Sequence, residues 1–114
     1  MLLLNNLYHI IARDDASYTI RFDASHPIFA GHFPGYPIVP GACLVQIAQE
    51  LLSEHLGQTV CFTVIKRLKF RQPITPQMEV RYVFADDKIT IENTDDSTQY
   101  ASFQASYMCT HSDV

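Results

Sequence analysis

The run Gly31-His32-Phe33-Pro34-Gly35-Tyr36-Pro37-Ile38-Val39-Pro40-Gly41 sets one titratable base inside a rigid loop that ends in Pro-Gly. Four of the six prolines and three of the four glycines lie between His26 and Gly41, so this stretch is expected to form no regular element. Long ordered loops in small domains are often functional. A helical periodicity starts where the loop stops. Leu44, Ile47, Ala48, Leu51, Leu52 and Leu56 recur at i, i+3, i+4, i+7, i+8 and i+12, which predicts a helix over 41–56 with one apolar stripe. The first N–H groups of a helix lack internal partners and carry the positive end of its dipole. They can polarise a carbonyl or hold an oxyanion, and Gly41 has no side chain to obstruct an approach to its own N–H. A base beside such amides is the minimum equipment for removing a proton α to a carbonyl.

An isolated histidine is more often structural than reactive, and His32 could simply pin the loop. Inside this run the substrate-contacting reading is the stronger one, because the loop and the helix start supply the other parts. His26 reads as a loop residue beside Pro27, and His9, His55 and His111 as surface or strand residues. The pair His26 and His32 has no zinc-ligand spacing, so neither a metal nor a cofactor is expected. Cys43 lies beside the helix start, but no base at an interpretable spacing makes it a nucleophile; a small buried cysteine is expected. The face of the helix away from the stripe carries Cys43, Gln46, Glu50, Ser53 and Glu54. That face is expected to meet a sheet edge, a partner or a ligand.

The remaining segments are β-like. Leu7 to Arg13 reads as a strand, with Asp14-Asp15 as its turn. Tyr18, Ile20 and Phe22 alternate with polar neighbours, the period of a half-buried strand. After Gly57, a residue suited to a left-handed helix cap, Val60, Phe62 and Val64 alternate, as do Leu68 and Phe70. Lys66 interrupts that register, and a bulge near Ile65 would explain the slip. Val80 to Phe84, Ile89 to Ile91 and a long final strand from Tyr100 to Cys109 complete the pattern. Asp86-Asp87 and Asp95-Asp96 mark turns. Pro73 and Pro76 bracket another, and the tail after Thr110 is expected to fray. Two strands, a loop, one helix and four strands make a single α+β domain over 1–114. Its economical form is an antiparallel sheet curled around the helix.

The chain has 114 residues, 12 acidic and 8 basic, for a formal net charge of −4. That balance argues against nucleic acid or an anionic membrane as a general partner. No apolar run is long enough to span a membrane, and no convincing signal peptide opens the chain. Three scattered cysteines form no disulfide framework and fit a cytoplasmic protein. Four of the eight basic residues, Lys66, Arg67, Lys69 and Arg71, crowd into six positions. The plain reading is a solvated strand face. The functional reading is a docking patch for an acidic partner.

The loop resembles that of the β-hydroxyacyl-acyl-carrier-protein dehydratases, whose pattern is close to His-Phe-Pro-Gly-x-Pro-x-x-Pro-Gly followed by a helix. His32, Phe33, Pro34, Gly35, Pro37, Pro40 and Gly41 match it in order. The segment Ile65 to Pro76 is similar to the strand and turn that follow the helix in that family, and the resemblance spans about Tyr18 to Tyr107. It implies a hotdog fold and an acyl-carrier-protein or coenzyme A thioester as substrate. It implies a lyase of fatty-acid or polyketide-type synthesis that eliminates water to leave a trans-2-enoyl thioester. His32 would remove the C2 proton. The Gly41 amide would receive the thioester carbonyl, and Phe33, Pro34, Gly35 and Pro40 would shape the substrate loop. The basic cluster would dock the carrier. Where the family carries a carboxylic acid across the dimer interface, five residues beyond the last glycine, this chain has Gln46. An amide can orient a hydroxyl or a water but cannot deliver a carboxyl proton, and such general acid help is worth about 10²–10⁴ in rate. Glu50, one turn on, would substitute only if the acyl chain sat differently. Three functions are therefore open: a dehydratase acting as a homodimer; a thioesterase on the same scaffold; and an acyl-binding subunit that pairs with a carboxylate-bearing homologue.

Overall fold

The computed structural model describes residues 2–31 and 37–110. In chain order its elements are β1 (Tyr8–Asp14), β2 (Ser17–Phe22), α1 (Ile28–Gly31), α2 (Gly41–Leu56), β3 (Thr59–Phe70), β4 (Glu79–Ala85), β5 (Lys88–Asn93) and β6 (Gln99–Thr110). The six strands form one sheet in the order β1-β2-β4-β5-β6-β3, and every neighbouring pair is antiparallel. Alternation along each strand sends one set of side chains toward the helix. Ile20, Val80, Tyr82, Ile91 and Phe103 share a buried cluster with Leu44, Ile47, Ala48 and Leu51 of α2. Ile47 and Leu51 are wholly buried, and each contributes about 1.5–3 kcal/mol in apolar burial.

The helix runs over the residues its periodicity marks. It ends at Gly57, whose φ of 67° puts the chain in the left-handed region and returns its N–H to the Ser53 carbonyl. Its polar side is tied to the sheet edge. Gln49 Oε1 accepts the Phe62 N–H at 2.8 Å, and Ser53 Oγ accepts the Val60 N–H at 2.9 Å. These two bonds fix where β3 leaves the helix.

Two expectations need correction. The Pro/Gly stretch contains one regular turn, α1, although prolines flank it. The His26 ring accepts the Ile28 N–H at 3.1 Å, and Phe29 anchors the turn by burying its ring. Pro27 stands just before the turn, and its carbonyl accepts the Ala30 N–H at 3.1 Å. Secondly, β3 slips twice, between Phe62 and Val64 and again between Lys66 and Lys69. The second slip holds Arg67 at a φ of +54°. The residues after Thr110 expected to fray, 111–114, lie outside the described residues.

Candidate active site

Pro40 caps α2 in an extended conformation, with φ −61° and ψ 142°, and contributes no side-chain cap. Its carbonyl accepts the N–H groups of Cys43 at 3.0 Å and Leu44 at 3.1 Å. The Gly41 and Ala42 N–H groups meet no acceptor among the described residues. The approach to this helix start is fixed from outside, because Val39 donates to the Ile74 carbonyl at 2.8 Å. A cleft of about 310 Å³ lies beside it, lined by Ile38, Gly41, Leu44, Phe70, Arg71 and Pro73 among others. His32, Phe33, Pro34 and Gly35 lie outside the described residues.

Gly41 has a steric role that the loop reading alone did not show. A Cβ built on it would stand 2.7 Å from Cζ of Phe70. The missing side chain therefore makes room for an aromatic ring that is itself 52% exposed. Phe70 roofs the helix start. Its signal in the sequence was only that of a strand residue.

The helix face carrying Gln46 and Glu50 meets the N-terminal segment of the chain. Glu50, on the face away from the apolar stripe, is only 6% exposed. Its Oε1 accepts the Leu3 N–H at 3.0 Å, the Leu4 N–H at 2.9 Å and the Tyr8 hydroxyl at 3.0 Å. Its Oε2 accepts the Leu3 N–H at 2.8 Å and the Gln46 amide at 2.9 Å. Every contact is a donor facing an acceptor. Glu50 is thereby a structural anchor for the chain's beginning, and its oxygens are already occupied. Burial first, and then the Glu50 charge, hold the Tyr8 phenol well above its usual range, so Tyr8 serves as a donor.

This network also orients Gln46. A carboxylate can only accept, so the amide nitrogen must face Glu50. The carbonyl oxygen of the half-buried Gln46 side chain is left over, and it receives no donor among the described residues. Gln46 thus offers a fixed acceptor. Five residues of helix separate it from Gly41, about 7.5 Å of rise and about 140° of net rotation. The two groups of one chain therefore do not face a common point.

The Cys43 thiol is pushed up by burial, which keeps it in the unreactive protonated form. Lys66, Arg67 and Lys69 are exposed on β3 and Arg71 just beyond its end, and Arg67 Nη1 donates to Gln104 Oε1 at 3.3 Å. Exposed Lys88 of β5 pairs in register with Gln104, as does Lys66. Local crowding revealed four of these cations, and only the strand order adds Lys88. The described residues contain no group of His, Cys, Asp and Glu that could hold a metal.

Residues 9–111 match the family model for ApeI-like proteins, described as ApeI dehydratase. A 3-hydroxyacyl-[acyl-carrier-protein] dehydratase FabZ from Ligilactobacillus salivarius is 31% identical over 96 residues, covering 78% of this chain and 69% of the relative. The chain spans about half the length of other curated relatives it matches, 46%, 40% and 52% in three FabZ proteins. Among solved structures, the dehydratase heterocomplex ApeI:P from Xenorhabdus doucetiae superposes with a TM-score of 0.63 at 19% identity, covering 90% of this chain and 95% of that one. A thioesterase from Haemophilus influenzae superposes at 0.59 with 14% identity, covering 94% and 81%. Those two likenesses establish the hotdog fold. With the match over 9–111 and the similarity to FabZ, the chain belongs to the ApeI-like dehydratase family.

Proposed function

We propose that this chain, one domain over 1–114, is a 3-hydroxyacyl-thioester dehydratase that takes its substrate from an acyl carrier protein or coenzyme A. The observation that carries the reading is the helix start: free N–H groups at Gly41 and Ala42, a cleft beside them, and the motif loop leading in. His32 takes the C2 proton while the thioester carbonyl rests on the Gly41 N–H. The C2–H electron pair becomes the C2–C3 double bond as the C3–O bond breaks. The departing oxygen receives its proton from the imidazolium or from water, because Gln46 offers only an acceptor. Gln46 accepts from the 3-hydroxyl and holds it in position. Phe33, Pro34, Gly35 and Pro40 form the wall of the substrate loop, and Lys66, Arg67, Lys69 and Arg71 dock the carrier.

The working form is a dimer. The β3 edge exposes Val64, Ile65 and Leu68, with Tyr107 and Met108 beside them on β6. An open apolar edge invites strand pairing, and a second copy can bring its Gln46 to the Gly41 of the first. The cysteines carry no disulfide and no described helix is long and apolar enough to cross a membrane, which supports a cytoplasmic location. A second reading is favoured by Gln46 itself: the chain pairs with a carboxylate-bearing homologue that completes the site. The name of the Xenorhabdus neighbour, a dehydratase heterocomplex, supports it.

Ultraviolet absorbance of the 3-hydroxyacyl/enoyl thioester interconversion tests both readings, on wild type, His32→Ala and Gln46→Glu. Turnover by wild type that His32→Ala abolishes supports the dehydratase. Turnover by Gln46→Glu alone assigns the natural chain to the partner role. Release of free thiol without enoyl product would replace both readings with a thioesterase.

A further inference from the structure

The slip in β3 between Lys66 and Lys69 opens a cavity of about 140 Å³ against β6. Arg67, Lys69, Arg71, Lys88, Ser102 and Gln104 line it. Ser102 and Gln104 alternate with Ala101, Phe103 and Ala105 of the core, so they belong to the face turned away from the helix. Four cationic side chains therefore converge where no carboxylate lies within ion-pair distance among the described residues. Four unpaired cations on one concavity repel each other and call for an anion.

The floor of the cavity supplies the second observation. Ser102 lies there, and its hydroxyl, which makes no hydrogen bond among the described residues, is open to the cavity rather than sealed in the protein. The Arg67 guanidinium occupies Gln104 Oε1 at 3.3 Å, so the Gln104 amide nitrogen is left as a donor. The lining thus offers guanidinium, ammonium, amide and hydroxyl donors around a space suited to a small tetrahedral anion. The left-handed backbone at Arg67, with φ +54°, is the strain that turns this side chain in from a strand where it would otherwise alternate away.

We propose that this cavity binds a phosphate ester. Arg71 lines both it and the cleft beside Gly41, so the two adjoin at the end of β3. A phosphate held here could lead an attached thioester arm past Phe70 toward the helix start. That extension rests on the dehydratase reading, whereas phosphate binding does not.

Amide chemical-shift titration with inorganic phosphate tests the site without turnover. Saturable shifts are expected at Lys69, Ser102 and Gln104. Lys69→Gln/Lys88→Gln should weaken binding at least tenfold, and Ser102→Ala, which leaves every charge in place, by about tenfold. Arg13→Gln, a surface cation paired with Glu54, should change nothing. Absence of saturation, or equal binding by the double variant and wild type, overturns the site. Phosphopantetheine, pantetheine and coenzyme A then distinguish the sources. Displacement of phosphate by phosphopantetheine as effective as by coenzyme A, with pantetheine inert, assigns the site to the carrier's arm. Stronger displacement by coenzyme A assigns it to that cofactor's additional phosphates. Displacement by pantetheine equal to both overturns phosphate recognition.

Discussion

Glu50 shows how far a single residue can depart from its sequence surroundings. By helical spacing it shares a face with Gln46, and nothing local distinguishes it from a solvated acid. Its burial depends on Leu3 and Leu4, whose N–H groups arrive from 47 and 46 positions away. Replacing the carboxylate with an amide would set a donor against donors. Glu50→Gln is therefore expected to lower stability by about 2–4 kcal/mol in urea unfolding, whereas Gln46→Ala, which removes only one of Glu50's donors, should cost under about 1 kcal/mol. Equal costs would show that the N-terminal anchor is not what Glu50 provides. Cysteine reactivity follows burial in the same way. Raising the pH makes more thiolate, and the Cys43 thiol, held up by burial, reaches that state later than an ordinary thiol. Alkylation near neutral pH followed by mass spectrometry should mark exposed Cys61 and Cys109 before Cys43; Cys43 labelling first would mean that the helix start activates it.

Elements were legible where their signal is local. The α2 helix declares itself through a 3.6-residue stripe between Pro40 and Gly57, and its observed span is the expected one. The six strands follow from alternation and from acidic turns. The α1 turn was hidden, because proline density predicts a loop and the cap is a histidine ring two residues before Ile28. Strand order was hidden too: β3 ends up beside β6 although β4 and β5 follow it in sequence, and only packing determines that placement. The consequence is an apolar edge strand. Val64, Ile65 and Leu68 are between 39% and 45% exposed, a cost that strand pairing with a second chain removes. Size-exclusion chromatography with light scattering should report a dimer for wild type and a folded monomer for Val64→Lys/Leu68→Lys. A variant that stays dimeric, with unchanged circular dichroism, would place the interface elsewhere.

At the scale of the whole molecule, the question is which chain completes which site. Gly41 and Gln46 diverge by about 140° around their own helix, so one chain does not aim both at one substrate. If His32 and Gly41 of one copy work with Gln46 of the other, two defective variants should complement. Subunits carrying His32→Ala and subunits carrying Gln46→Ala, mixed equally and refolded, pair at random. Half of the dimers are then mixed, and each mixed dimer holds one site with both groups intact, so about a quarter of wild-type activity should return. A site built within one chain gives no recovery beyond the average of the two parent variants. The same mixing separates the homodimer from the partner-subunit reading. A chain whose natural partner is a carboxylate-bearing homologue should remain inactive in every self-mixture and gain turnover only when Gln46→Glu subunits supply the acid to an intact His32. The Glu50 network makes that comparison demanding. A glutamate at position 46 would lose the amide that now donates to Glu50 and place a second carboxylate 2.9 Å from the first. Its carboxyl is expected to hold its proton to higher pH than an ordinary glutamate, which is the direction a general acid needs. The rate of Gln46→Glu should accordingly fall as pH rises through that raised value, and a flat profile would mean that the new carboxyl has turned away from Glu50.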